Sequence, residues 1–213
     1  MIQNEEQALQ WIADLEGVDE TAVPRLELLV RLLREENSRQ NLVSAASLEQ
    51  VWTRHIVDSA QLLDHVPRGT FSTWLDLGTG AGFPGLVIAT LLPSLRITMV
   101  ESRAKRIDWL DRALSELGLA NAQVAGQRLE QVDTQAYDVI SARAFAPLDH
   151  LVKLAHRFST RTTQWLLPKG RSAEQELSTL SGFHHKFHVE PSVTDPEAGI
   201  VVGTLTGRKG FKS

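Results

Sequence analysis

The chain has 213 residues, 42% of them hydrophobic, a formal net charge of -4 and no cysteine. That length accommodates one α/β domain with a substantial core and a small extension, and the absence of cysteine excludes disulfides, thiolate metal sites and thiol nucleophiles. A negative balance argues against sequence-blind coating of nucleic acid, which depends on an excess of Lys and Arg.

Residues Met1 to Gln10 lack the basic and then apolar order of a signal peptide. No run approaches the roughly 18 apolar residues of a membrane span, so the expectation is a cytoplasmic protein without membrane contact. Ala8, Trp11, Ile12 and Leu15 recur at helical spacing, and Leu26, Leu29, Val30, Leu32 and Leu33 lie behind Pro24. A third helix is expected to begin near Ser47, which forms a capping-box pattern with Gln50, and to end near His65 before Pro67 and Gly69. Within it His55 and Ser59 interrupt an apolar stripe, with Asp58 on a neighbouring flank. The favoured reading is a buried imidazole that docks this helix on the sheet of the domain, and a substrate-facing catalytic role for Asn41 and His55 is the alternative.

From Thr73 the pattern alternates short β-rich runs with helical segments, the sign of βαβ units. Strands are predicted at 73–77, 95–100, 121–125, 137–141, 163–167, 184–190 and 199–206, and helices at 84–92, 103–117, 148–157 and 172–180. The fold class is therefore a Rossmann-like, mostly parallel, seven-stranded α/β sheet. It belongs to a single domain over 1–213, with a helical extension over 1–67 and a cofactor-binding core over 68–213. Gly182, Pro191, Pro196 and Gly199 break the last third into a hairpin-like pair at the sheet's end.

The strongest local signal is Trp74-Leu75-Asp76-Leu77-Gly78-Thr79-Gly80-Ala81-Gly82-Phe83-Pro84-Gly85, a strand running into glycines and then a helix. Such a loop at the carboxyl end of the first strand is where open parallel sheets bind ligands, and glycine permits positive φ and close ligand approach. Read from Gly80, it also satisfies the dinucleotide fingerprint, with Glu101 about 20 residues on as a ribose-binding acid. A nicotinamide-dependent oxidoreductase is thus the rival. Asp76 favours the other nucleoside cofactor, S-adenosylmethionine, because a carboxylate there would repel a diphosphate and hold a cationic methionine end; a charge in a buried strand needs a partner, and the alternative is that Asp76 caps a neighbouring backbone N–H at the strand end. Gln127, Leu129 and Glu130 after the third strand and Arg143 after the fourth converge on the same edge.

Arg103, Lys105 and Arg106 occupy the first turn of a helix, where the macrodipole disfavours cations, so a phosphate-binding role is preferred to a solvated helix start. Lys169 could reach substrate on the same edge or serve as a turn residue beside Gly170. Two further basic groups stand at Lys153 with Arg157 and at Arg208, Lys209 and Lys212, the last read as an ordinary solvated face. His184, His185 and His188 cluster without the carboxylate spacing of a metal site, so no metal is expected.

The glycine loop, Glu101-Ser-Arg-Ala-Lys-Arg106, Ile140-Ser-Ala-Arg-Ala-Phe145, Arg54-His-Ile-Val-Asp-Ser59 with Asn41-Leu42, and Leu167-Pro-Lys-Gly170 together resemble the bacterial small-subunit ribosomal RNA guanine-N7 methyltransferases. The resemblance implies that Gly78, Phe83, Leu129, Glu130 and Arg143 bind S-adenosylmethionine, with Asp76, Gly80 and Glu101 in support. It also implies a guanine in the 530 loop of 16S ribosomal RNA as substrate, met as free RNA or as the 30S subunit by a monomeric enzyme. The chain has neither the Asp/Asn-Pro-Pro-aromatic loop usual for exocyclic amines nor the cysteine needed for pyrimidine C5. Guanine N7 needs neither, because its in-plane lone pair carries no proton.

Overall fold

The computed structural model describes residues 1–67 and 69–210; Lys212 of the tail group lies outside the described residues. Five parallel strands run from one edge of the sheet inward: β1 (Thr73–Leu77), β2 (Arg96–Val100), β3 (Ala122–Ala125), β4 (Val139–Ala142) and β5 (Gln164–Gly170). With β7 (His188–Pro191) and β8 (Gly199–Gly203) they make a seven-stranded sheet of order β3-β2-β1-β4-β5-β8-β7, in which β8 and β7 run antiparallel to their neighbours. The strand order reverses at β1, so the glycine loop after β1 opens into the crevice where doubly wound sheets take ligands.

The last third departs from the predicted strands. The expected 184–190 segment divides into β6 (Phe183–His185) and β7, and 199–206 divides into β8 and β9 (Leu205–Arg208). β6 and β9 pair with each other as a separate two-stranded ribbon. The break in the second segment falls at Gly203, whose φ is +142° and whose Cβ position lies 2.3 Å from the Lys186 carbonyl oxygen. Period-2 patterning marks extended chain but not the point at which that chain changes sheets.

Successive strand residues point to opposite faces. Trp74, Ile97, Met99, Val139, Leu166 and Ile200 belong to one buried cluster, whereas Leu75, Leu77, Ile140, Trp165, Leu167 and Val201 belong to the other. On the second face lie α7 (Leu148–Ala155), α8 (Ala173–Thr179) and the ribbon. On the first lie α5 (Gly85–Leu91) and α6 (Ala104–Leu117), together with the amino-terminal helices α1 (Glu5–Ala13) and α2 (Ala22–Asn37). All seven residues of α5 are buried, as a parallel sheet covered on both faces requires.

The third amino-terminal helix starts earlier than expected and is irregular. Ser44, not Ser47, is the cap, its Oγ accepting from the Ser47 amide at 3.2 Å. The segment then passes through α3 (Ala45–Glu49), a π-helical turn at Trp52–Val57, α4 (Asp58–Ala60) and a 3-10 turn at Gln61–His65. The π turn buries Trp52, Thr53, His55, Ile56 and Val57 together, a run too dense for a 3.6-residue repeat with one buried stripe. Among the described residues no helix is long and apolar enough to cross a membrane.

Replacing Gly203 with alanine puts a Cβ against backbone that cannot yield. It should lower stability by roughly 2–4 kcal/mol, read as a lower urea midpoint with an unchanged m-value.

Candidate active site

Asp76 on β1 has no exposed surface. Its Oδ2 accepts from the Gly85 amide at 3.0 Å and from Thr79 Oγ1 at 2.7 Å, and its Oδ1 from Ser141 Oγ at 2.8 Å. Ser141 in turn accepts from the Trp74 indole N–H at 2.8 Å. Burial pushes this carboxyl above its usual range, and the hydrogen bonds from Thr79, Ser141 and Gly85 and the charge of Arg143 oppose the shift. These partners come from the loop, from β4 and from the first residue of α5, so Asp76 ties the glycine loop down from within. Pro84 also shifts by one position, to the N-cap of α5.

The loop turns through Gly78 at φ +63°, Gly80 at +61° and Gly82 at +104°. A Cβ at Gly78 would stand 2.3 Å from the Phe145 ring, and one at Gly80 would stand 3.2 Å from Arg106 Nη1. From the other side, the Trp109 indole donates to the Ala81 carbonyl at 3.0 Å. Glu101, at the end of β2, is buried. Its Oε2 accepts from the Gly80 amide at 3.1 Å and its Oε1 from the Ser102 and Arg103 amides at 2.7 and 2.9 Å, with Arg106 Nη1 3.8 Å from Oε2. Between these groups lies a cleft of about 180 Å³ that also touches Gln127, Leu129, Ala144 and Phe145.

A second cleft, of about 360 Å³, is lined by Arg54, Asp58, Arg143, Lys169, Glu176 and Asp195 among others. Ala144 lines both clefts. It holds φ at +52°, the one positive value at a non-glycine among the described residues, a conformation that bulky side chains avoid.

Arg143 is locked from three directions. Nη1 donates to the Arg54 carbonyl and to Asp58 Oδ2, both at 3.2 Å, Nη2 donates to His55 Nδ1 at 3.1 Å, and the guanidinium lies 5.2 Å from the Phe83 ring. His55 stacks on the same ring at 4.8 Å. A guanidinium can only donate, so His55 Nδ1 is the acceptor and the proton of the neutral ring sits on Nε2, which is buried without a partner. Burial, then the charges of Arg143 and Arg54, lowers the His55 pKa to about 3. Lys169 Nζ donates to the Ala146 carbonyl at 2.6 Å and pairs with Glu176 Oε2 at 3.0 Å. Burial of Glu176 favours its neutral form, but bonds from Ser172, Lys169 and Leu148 outweigh this and hold the carboxyl below its usual range.

Of the residues expected to form the cofactor site, Gly78, Glu101 and Leu129 line the smaller cleft and Arg143 the larger. Gly80 touches the smaller one through its amide on Glu101. Phe83 is buried and lines neither; it serves as the platform for His55 and Arg143. Glu130 is exposed, next to Leu129 at the smaller cleft. Among the expected RNA ligands, Arg103 and Lys105 are exposed, Arg103 at the wall of the smaller cleft, and Arg106 is turned toward Glu101 in the same cleft. Of the candidate catalytic residues, Asn41 is exposed and lines neither cleft, His55 is buried under Arg143, and Lys169 is ion-paired. Sequence reasoning missed Ser141, Asp195 and the junction at Ala144. Among the described residues no group of His, Asp and Glu is arranged to hold a metal.

The family model described as rRNA small subunit methyltransferase G matches residues 22–193. The chain is 57% identical over 204 residues to the Ribosomal RNA small subunit methyltransferase G of Erythrobacter litoralis, covering 95% of this chain and 97% of that protein. It is 53% identical over 208 residues to the protein of that name from Novosphingobium aromaticivorans, covering 96% and 90%. Similar solved structures include a MtNAS variant in complex with S-adenosylmethionine, with a TM-score of 0.56 at 16% identity over 94% of this chain and 83% of that one. Another is a SAM dependent methyltransferase from Aquifex aeolicus, at 0.58 and 12% over 83% and 97%.

Asp76→Ala removes the side-chain acceptor of two hydroxyls and an amide in the interior. It should destabilise the protein by about 2–4 kcal/mol and reduce affinity for S-adenosylhomocysteine, both read from thermal melts with and without that ligand. An unchanged melting temperature would show that the carboxylate carries no load.

His55 sets an acid limit. Its unfolded form takes up a proton near pH 6.5 and its folded form only near 3. The group is therefore neutral to stability above pH 6.5, and destabilises progressively as the pH falls from there to 3. At pH 5 the loss is about 2 kcal/mol, and His55→Gln should remove that share of the acid sensitivity in urea melts compared at pH 7 and pH 5.

Proposed function

This chain belongs to the rRNA small subunit methyltransferase G family, and we propose that the atom it methylates is N7 of a guanine in the 530 loop of 16S ribosomal RNA. As a member it is an S-adenosylmethionine-dependent rRNA methyltransferase, and the nicotinamide alternative is set aside.

The smaller cleft suits the nucleoside part of this cofactor. Gly78 lines it without a Cβ, and the Glu101 carboxylate, which accepts from the Gly80 amide, stands at its edge and suits the hydroxyls of a ribose. Gly78, Gly80, Glu101 and Leu129 would hold that part, with Asp76 and Phe83 shaping the loop from behind. When bound, the cofactor supplies a methyl group on a cationic sulfur.

The observation that carries the N7 reading is that the titratable groups around the Ala144 junction are already engaged. His55 accepts from Arg143 and Asp58 is paired to it, Lys169 is paired with Glu176, and Asp195 is paired with Arg54 at 3.2 Å. An acceptor that must lose a proton would require one of these groups to be released as a base. Guanine N7 has no proton to lose, so positioning alone can serve, and an oriented encounter is worth up to ~7–11 kcal/mol. In the larger cleft Arg54 and Arg143 present cations suited to RNA phosphate and to guanine O6. The fixed Arg143 would orient the base instead of moving its protons, which makes His55 a positioning residue.

Labelled S-adenosylmethionine incubated with this protein and either naked 16S rRNA or 30S particles from a strain lacking the enzyme should yield 7-methylguanosine at one site. Label in another nucleoside, or in protein alone, would refute the N7 reading.

A further inference from the structure

The segment that joins β7 to β8 clasps the irregular amino-terminal helix along one side. Arg54, Asp58 and Gln61 are spaced four and three apart, so they share a side of that helix. Asp195 Oδ2 accepts from Arg54 Nη1 at 3.2 Å, Thr194 Oγ1 donates to Asp58 Oδ1 at 3.0 Å, the Val193 amide donates to Gln61 Oε1 at 2.9 Å, and Ser192 Oγ accepts from Gln61 Nε2 at 3.2 Å. Four consecutive residues, 192–195, are thus each bonded to the helix. The segment is also closed on itself, since the Ser192 amide donates to the Ala198 carbonyl at 3.0 Å and the Ala198 amide to the Asp195 carbonyl at 3.1 Å. Ser192, Asp195 and Ala198 line the larger cleft together with Arg54, Asp58 and Arg143.

The direction of each proton along this clasp is set. A backbone N–H can only donate, so the oxygen of the Gln61 amide faces Val193 and its nitrogen faces Asp58, whose Oδ1 it reaches at 3.0 Å. The Asp58 carboxylate accepts only, so the single Thr194 proton points at Oδ1 as well. Two donors on Oδ1 turn Oδ2 toward Arg143, which meets it through Nη1 at 3.2 Å. A carboxylate that offers both oxygens can take a guanidinium as a two-point fork. Here Arg143 meets one oxygen, and its Nη2 goes to His55 at 3.1 Å.

Gln61 is 2% exposed, and a buried carboxamide costs free energy unless it is hydrogen-bonded. Trp52, Ile56, Leu62 and Leu63 already dock the same helix through the apolar core, so docking alone does not call for a glutamine. A leucine in its place could pack, but it could not orient Asp58. We propose that Gln61 and Thr194 are positioning residues for methyl transfer: they turn the Asp58 carboxylate so that it holds the Arg143 guanidinium in one orientation beside the target base, an assignment that rests on the larger cleft receiving that base.

The test is the initial rate of methyl transfer by the full chain, well below its melting temperature, to 16S rRNA or 30S particles, whichever accepts label. Thr194→Val removes the hydroxyl and keeps the shape of the side chain. Its kcat should fall about tenfold, with KM for RNA within about twofold of the native value and affinity for S-adenosylhomocysteine unchanged. Thr194→Ser keeps the donor and should restore kcat, and Gln61→Met should lower it as Thr194→Val does. In an Asp58→Ala background Thr194→Val should cost nothing further, because the group it acts through is gone. The structural control is Thr163→Val, which deletes another buried hydroxyl, one that donates to the Tyr137 carbonyl at 2.6 Å just before β5. It should lower the melting temperature and leave kcat as it is. An unchanged kcat in Thr194→Val, an equal loss in Thr194→Ser, or a further loss in the Asp58→Ala background would overturn the assignment. Arg143→Lys separates it from the reading of the cleft. If that variant keeps its kcat, the base does not lie beside Arg143 and both fall; if it loses kcat while Thr194→Val does not, the positioning role alone falls.

Discussion

The structure depends on one buried carboxylate. Asp76 lies inside a parallel sheet, where an uncompensated charge is prohibitive, and it persists because Thr79, Ser141 and Gly85 donate to it. Those three donors come from the loop, the adjacent strand β4 and the first residue of α5. The same group therefore fixes how β1 ends, where α5 begins and how far β4 stands from the loop. Three left-handed glycines alone would leave the segment free to sample many shapes. Tied from within by Asp76 and from outside by Trp109, it has one, and Glu101 is presented on its rim by the Gly80 amide.

The amino-terminal helices extend this logic to the second cleft. They cover the face that α5 and α6 leave open, and the π-helical turn and the start of α4 carry His55 and Asp58 to the guanidinium of Arg143. A π turn displaces its side chains relative to a regular helix and recurs at functional positions for that reason. Here it lets a helix that is mainly a core element also present two polar groups toward β4. Arg143 is held by a carboxylate, a carbonyl and a neutral imidazole over an aromatic face. A side chain so held loses little rotamer entropy when a substrate arrives.

Much of this architecture is legible in the sequence. The first four parallel strands and the helices between the parallel strands sit within a residue or two of their predicted bounds, because short β-rich runs, glycines and prolines punctuate them locally, and β5 runs three residues past its predicted end. The glycine loop and Glu101 are legible because their spacing is local. What escapes depends on distance along the chain or on backbone geometry. Arg54 and Asp195 are far apart in sequence and meet across the larger cleft. Ala144 gives no sign in its side chain of its left-handed turn, and nothing in the 199–206 run marks Gly203 as the place where the chain leaves one sheet for another. Asp76 reads in the sequence as costly and in need of partners, but those partners are the protein's own loop and strand. A sequence displays the charge and hides which way it faces.

That reversal bears on how catalysis divides between the two clefts. A carboxylate exposed to the cofactor would act on the sulfonium by direct attraction and would be weakened by salt. A buried one acts by shape, and its effect is insensitive to the ionic atmosphere. Salt dependence then falls on the RNA side, where the exposed cations are. On the proposed reading, cofactor recognition would rest on backbone geometry locked from within, and substrate recognition on surface charge. A chain with a net charge of -4 can serve both only by gathering its cations where the polynucleotide lies.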